Sequence, residues 1–174
     1  MIRLIVMGVS GSGKSSVGEA IANRLSLQFI EGDALHPESN VRKMSAGITL
    51  TDEDRWPWLD SIGGTLAQAQ GGLVVSCSAL KKIYRERLRH MADGPLAFVF
   101  LEGSGDILAQ HMSARTGHFM PISMLESQLD TLEPPTDEPL VLTQNVENSV
   151  SEIVRQSVAW VSHMRAGDAF KGGR

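Results

Sequence analysis

The chain has 174 residues, 42% of them hydrophobic and 21% charged, with a formal net charge of −4. That length suits one domain with a substantial core, and the acidity excludes the basic face that nucleic-acid binding needs. Cys77 is the single cysteine, which excludes an internal disulfide, and no apolar run nears the roughly 18 residues of a membrane span, so a soluble cytoplasmic protein without nucleic-acid or membrane partners is expected.

The opening MIRLIVMG reads as a buried strand, too short and wrongly composed for a signal peptide. It runs directly into GVSGSGKSS at positions 8–16, where Gly8, Gly13, Lys14 and Ser15 match G-x-x-x-x-G-K-[ST] between a strand and a helix. Glycines let such a loop turn until its backbone N–H groups converge on phosphate oxygens, at the positive end of the next helix. Gly8, Ser10, Gly11, Ser12, Gly13, Lys14, Ser15 and Ser16 are therefore expected to hold ATP. Lys14 carries its charge to the β- and γ-phosphates, and the Ser15 hydroxyl is the expected Mg2+ ligand. A helix follows over 14–25, with Val17, Ala20, Ile21 and Leu25 on one stripe. The loop alone leaves a kinase, a switch GTPase and a motor ATPase open. The one D-x-x-G, at 60–63, lies in a helical pattern, and N-K-x-D is absent, which favours a small-molecule kinase.

LQFIEGD at 27–33 is the second strand, and the stretch 29–59 that begins there is rich in polyol-binding residue types. It starts at the carboxyl end of a strand, where ligands of open α/β sheets collect. Asp33 is the candidate group to accept or orient the proton of an attacking hydroxyl, with capping of the segment from Ala34 as the alternative. Arg42 and Lys43 form a compact cationic pair suited to a carboxylate, or else a solvated face. Thr51 and Asp54 have capping-box spacing, Asp52 and Asp54 suit a first helical turn, and a helix is expected over 58–70. Trp56 and Trp58 line either a pocket or the core.

GLVVSCS at 72–78 is the third strand, ending in Ser76 and Ser78 where many P-loop enzymes carry a metal-binding acid. No Asp or Glu follows this strand, so Mg2+ is expected to rely on Ser15, phosphate oxygens and water, with Asp33 as a further candidate. Lys81 opens the next predicted helix, 79–91, at the end where a cation opposes the dipole, which marks it for ligand binding. Tyr84 and Arg85 are weaker candidates for the same pocket, and Cys77 reads as a small buried filler. LAFVFLE at 96–102 is the fourth strand; helices follow over 107–115 and 121–132. EPPTDEP at 133–139 is a rigid connection to the fifth strand, PLVLTQ, and a last helix covers 146–164. Strands alternating with helices imply an α/β fold, a three-layer α/β/α domain over 1–166 around a mostly parallel five-stranded sheet, with 167–174 as a tail.

EGDALHP, KMSAG, TDEDRWPWL and CSALKKIYRERLR occur in this order, with RTGHFMP at 115–121, and together they closely resemble the gluconokinase family of P-loop kinases. The resemblance spans roughly 3–134; shikimate kinase and the nucleoside monophosphate kinases are more distant. It implies ATP-dependent phosphorylation of D-gluconate to 6-phosphogluconate, usually by a homodimer. It also implies substrate contacts from Asp33, His36, Arg42, Lys43, Arg55, Lys81, Tyr84, Arg85, His118 and Phe119. Residues 108–121 resemble a mobile lid, with Arg115 closing on the phosphates to assist catalysis and exclude water. His111 stands where the family pattern places an arginine, and stacking on adenine is its expected role. Another hydroxy-acid kinase, such as one acting on shikimate, and a non-catalytic nucleotide-binding regulator are the alternatives.

Overall fold

The structure, a computed structural model, describes residues 1–114 and 122–167. Five strands form one sheet in the order β2-β3-β1-β4-β5. These are β1 (Arg3–Met7), β2 (Gln28–Glu31), β3 (Leu73–Ser76), β4 (Ala97–Glu102) and β5 (Val141–Asn145), and every neighbouring pair is parallel rather than most of them.

Apolar residues run continuously through the central strands because both sheet faces are covered. Along β1, Leu4 and Val6 point into one core, and Ile5 and Met7 into the other. The first core is closed by α1 (Lys14–Leu25), through Val17, Ile21 and Ala22, and by α7 (Val150–Ala166), through Ile153, Val154 and Val161. Leu108 of α5 (Gly105–Ser113) and Leu125 of α6 (Ile122–Thr131) join the same cluster. The second core lies under α3 (Asp52–Gln68) and α4 (Lys82–Met91), with Trp58, Leu59, Ile62 and Leu88 packed on Phe98 and Phe100. A short helix α2 (Glu38–Ser45) precedes α3. The expected three layers are present.

Several helix starts differ from the sequence expectation, each for a local reason. α3 begins at Asp52, six residues early, because the Thr51 side chain accepts from the Asp54 N–H while Asp54 accepts from the Thr51 N–H. Pro57 lies within that helix and omits the bond to the Glu53 carbonyl. α4 starts at Lys82 because Ala79 takes φ 44°, outside the helical region. α7 starts at Val150, since the Asn145 carboxamide accepts from the Glu147 N–H at 2.8 Å and turns the chain, and Ser149 then caps the helix.

Register places the site. Glu31 at the end of β2 pairs with Ser76 at the end of β3, and Ser76 pairs with Val6 two residues before Gly8. The carboxyl ends of β1, β2 and β3 therefore emerge side by side.

Candidate active site

The phosphate loop, 8–16, leaves β1 and enters α1 through Gly13, whose φ of 89° is left-handed and whose lack of a side chain leaves the helix start without a side-chain cap. N–H groups at an uncapped helix start are the physical basis of an anion site. Inside the loop, Ser12 Oγ and Lys14 Nζ both donate to the Val9 carbonyl, at 2.7 and 3.0 Å. The Ser10 N–H donates to Gln128 Oε1 of α6 at 2.7 Å. Of the residues expected to hold the nucleotide, all but His111 and Arg115 lie in this loop and the first turn of α1. Ser15 Oγ donates to Glu31 Oε1 at 2.7 Å, and Ser76 Oγ makes a short hydrogen bond to the same oxygen.

Beyond Glu31 the chain forms a 3-10 turn, Gly32–Leu35. Its first residue has to be glycine, because a Cβ there would collide with the Ser76 carbonyl oxygen. Two further bonds hold this corner: the Gly32 N–H donates to Ser76 Oγ at 3.3 Å, and Trp58 Nε1–H donates to the Gly32 carbonyl at 2.8 Å. Trp58 is 2% exposed, and its ring also stacks on His36, centroids 4.1 Å apart. It is at once core and platform. Asp33 rides on this turn, exposed. Its carboxylate makes no hydrogen bond among the described residues, and the turn is entered from Glu31 with no side-chain cap, so the capping alternative does not apply. Asp33 and Lys14 lie near enough to Cys77 to act on its thiol in opposite directions, although burial dominates and pushes that thiol up to about 12. Cys77 is buried filler, as expected.

Helix α2 is clamped to the start of α3. Asn40 Nδ2 donates to the Asp54 carbonyl at 2.8 Å, and Lys43 Nζ reaches both Asp54 carboxylate oxygens at 2.7 and 2.8 Å. Lys43 first, then the Thr51 N–H, hold the Asp54 carboxyl below its ordinary range. Arg42 points outward to Glu38 at 3.4 Å.

A second polar cluster joins α3 to α4. Asp52 accepts from the Tyr84 hydroxyl in a short bond and from Lys81 Nζ at 2.9 and 3.0 Å. These partners, Tyr84 foremost, draw the Asp52 carboxyl down, and Asp52 in turn raises Lys81. The cation at the head of α4 is thereby matched by a carboxylate. Arg55 Nη1 donates to the Leu50 carbonyl at 2.6 Å and approaches the Tyr84 hydroxyl at 3.4 Å. Its Nε and Nη2 make no hydrogen bond among the described residues. A guanidinium anchored at one nitrogen and open at two can grip a carboxylate in bidentate fashion.

Arg85 requires a correction. It is 0% exposed, and its guanidinium donates to the carbonyls of Ala79, Leu80 and Glu133 and to the Glu138 carboxylate. Every nitrogen is engaged inside the protein, so no donor is left for a substrate. Arg85 instead ties the loop before α4 to the connection before β5. His111 sits exposed on the last turn of α5. Arg115, His118 and Phe119, and with them most of the proposed lid, lie outside the described residues, as do 168–174 of the expected tail.

Two residues bonded to the phosphate loop are not among those the sequence singles out. Glu31 precedes Gly32 and Asp33 at a strand end, a local signal; the sequence points to the end of β3 for an acid, whereas the register brings a carboxylate to Ser15 from β2. Gln128 is 118 residues from Ser10, with nothing local to single it out.

The family described as AAA domain matches residues 4–135. A gluconokinase from Gluconobacter oxydans is 46% identical over 168 residues, covering 95% of this chain and 92% of that protein. The thermoresistant gluconokinase of Escherichia coli is 40% identical and covers 88% and 90%. Among solved structures, a gluconokinase from Sinorhizobium meliloti superposes with a TM-score of 0.90 at 55% identity, covering 99% of this chain and 98% of its own. Shikimate kinase from Aquifex aeolicus, at 14% identity and a TM-score of 0.59, shares the fold.

Proposed function

The chain belongs to the gluconokinase family, and on that premise we propose that it transfers the γ-phosphoryl group of ATP to D-gluconate, giving 6-phospho-D-gluconate for sugar-acid catabolism. One observation carries the site assignment. A carboxylate that makes no hydrogen bond among the described residues, Asp33, is held on the corner after β2, at the sheet end where β1 launches the phosphate loop. In this reading the loop and Lys14 hold the β- and γ-phosphates while Asp33 takes or orients the proton of the attacking hydroxyl. Arg55 binds the gluconate carboxylate through Nε and Nη2, and His36 binds along the polyol. Lys81, Tyr84 and Lys43, each anchored on an aspartate, border the pocket, with Arg42 at its margin. Arg115 and His111 serve the phosphates and adenine, and His118 and Phe119 the acceptor.

Ser15 Oγ is a hard oxygen donor that would hold Mg2+ together with phosphates and water, with the Glu31 carboxylate beside it as the partner that orients it. Among the described residues no group of three or more His, Cys, Asp or Glu could hold a metal ion. Mg2+, when bound, neutralises phosphate charge. A homodimer in the cytoplasm completes the proposal; among the described residues no helix is long and apolar enough to cross a membrane.

The test is an acceptor panel. Purified protein with Mg2+ and ATP should release ADP only when D-gluconate is present, with 6-phosphogluconate identified by mass spectrometry. Preference for shikimate, or acceptor-independent hydrolysis, overturns the assignment.

A further inference from the structure

His36 makes one ring hydrogen bond, from Asn40 Nδ2 to its Nδ1 at 3.2 Å. The direction of that bond follows from the other contact of the same nitrogen. Asn40 Nδ2 also lies 2.8 Å from the Asp54 carbonyl, which can only accept, so the amide is oriented with its NH2 group toward both partners. One hydrogen goes to Asp54 and the other to His36. Nδ1 must then carry a lone pair, and the imidazole proton is on Nε2. Asn40 cannot rotate to oblige a different tautomer, because it is 1% exposed and an oxygen turned to the Asp54 carbonyl would be repelled there.

We propose that Asn40 is a positioning residue that locks His36 as a neutral imidazole with its proton on Nε2, and that this N–H is the donor offered to a hydroxyl of the sugar-acid substrate. The hydroxyl contact rests on the gluconate reading above; the tautomer does not. Among the described residues Nε2 makes no hydrogen bond. Trp58 covers one face of the ring, leaving its edge to the site.

The surroundings agree. Burial lowers the basicity of His36, Asp33 on its own turn raises it, and Arg55 from α3 lowers it again, for a net depression. Neutrality has a chemical purpose. A positive imidazolium beside Asp33 would pair with that carboxylate and weaken it as a proton acceptor, whereas a neutral donor leaves it free. Donor and acceptor then face the same polyol, His36 giving a hydrogen bond and Asp33 receiving one.

The experiment reads the tautomer directly. Long-range nitrogen–proton NMR of the ligand-free protein resolves its five histidines, and the signal lost in His36→Gln assigns residue 36. The expected spectrum shows a neutral ring with its proton on Nε2 at about pH 8, above the ordinary imidazole range; an Nδ1–H tautomer there overturns the proposal without any variant. In Asn40→Asp, a carboxylate in place of the amide should draw the proton to Nδ1 and raise the titration of the ring above that of the wild type. KM for gluconate should then rise about tenfold where the ring is neutral, the scale of one lost hydrogen bond, and kcat should fall toward lower pH as the charged ring pairs with Asp33. His36→Gln, whose amide N–H stands near Nε2, should keep KM within a few-fold, and His36→Leu should not. Equal KM values for the two His36 variants, or an Asn40→Asp protein with unaltered tautomer and KM, overturn it as well. Failure of the wild type to phosphorylate gluconate would instead defeat the substrate assignment, a separate result from the spectra.

Discussion

The Ser15 hydroxyl of the phosphate loop donates to the Glu31 carboxylate at 2.7 Å, so the expected metal ligand is already oriented by an acid from a strand two places away in the sheet. Glu31→Gln retains an acceptor for Ser15 but removes the charge. Outer partners of metal ligands typically govern about 10–100-fold in metal affinity. The free Mg2+ concentration giving half-maximal activity should therefore rise by that order, with little change in thermal stability. An unaltered Mg2+ titration would detach Glu31 from the metal.

Asp33→Asn keeps the shape of the side chain and loses its ability to accept a proton. The loss of general-base help is usually about 10²–10⁴-fold in rate. Steady-state kinetics should show that fall in kcat with a smaller effect on ATP affinity. A change confined to KM for gluconate would make Asp33 a binding residue only.

Lys14 Nζ donates to the Val9 carbonyl at 3.0 Å. Lys14→Ala should leave the circular dichroism spectrum intact and cut transfer by about 10² or more, the usual effect of deleting one preorganised charge-stabilising group. Near wild-type turnover by the folded variant would refute the role of the loop.

The Arg85–Glu138 pair, 0% and 5% exposed, predicts a stability effect rather than a substrate effect. Arg85→Met strands the Glu138 carboxylate with only Arg89, and breaking a buried pair costs about 3–5 kcal/mol. For a chain of this size that lowers Tm by roughly 6–20 °C. The Glu138 carboxyl is pushed up by burial but drawn further down by Arg85 and Arg89, so its folded value is depressed. The stability it contributes is complete above its unfolded value of 4.5 and is lost as pH falls through the lower folded value. Calorimetry across acid pH should show wild type losing this advantage over Glu138→Gln. A constant difference would exclude it.

His111→Arg should tighten ATP binding a few-fold, since a guanidinium stacked on a base adds cation–π attraction of about 0.5–1 kcal/mol. Arg115→Ala should act on kcat instead, because its charge matters most as charge develops on the transferred group. Titration of ATP and turnover measurements on both variants separate the roles, and unchanged values remove the corresponding residue from the site.

The amino-acid sequence by itself determined the layers, the place of the phosphate loop and the position of Asp33. Continuous apolar strands, the helical stripe over 14–25 and the G-x-x-x-x-G-K-S pattern are local signals, carried by residues within a few positions of one another. The partners of each charge were decided only by tertiary structure. Lys43 with Asp54, Lys81 with Asp52 and Arg85 with Glu138 are 11 or more residues apart, and no spacing rule reaches across them. Glu31 shows the difference most plainly. Its place beside Ser15 follows from the β2–β3 register and from strand order, properties of hydrogen bonding between distant segments rather than of either segment alone. The proton on His36 is likewise decided at a distance, because the Asp54 carbonyl, 14 residues from Asn40, settles which way that amide points.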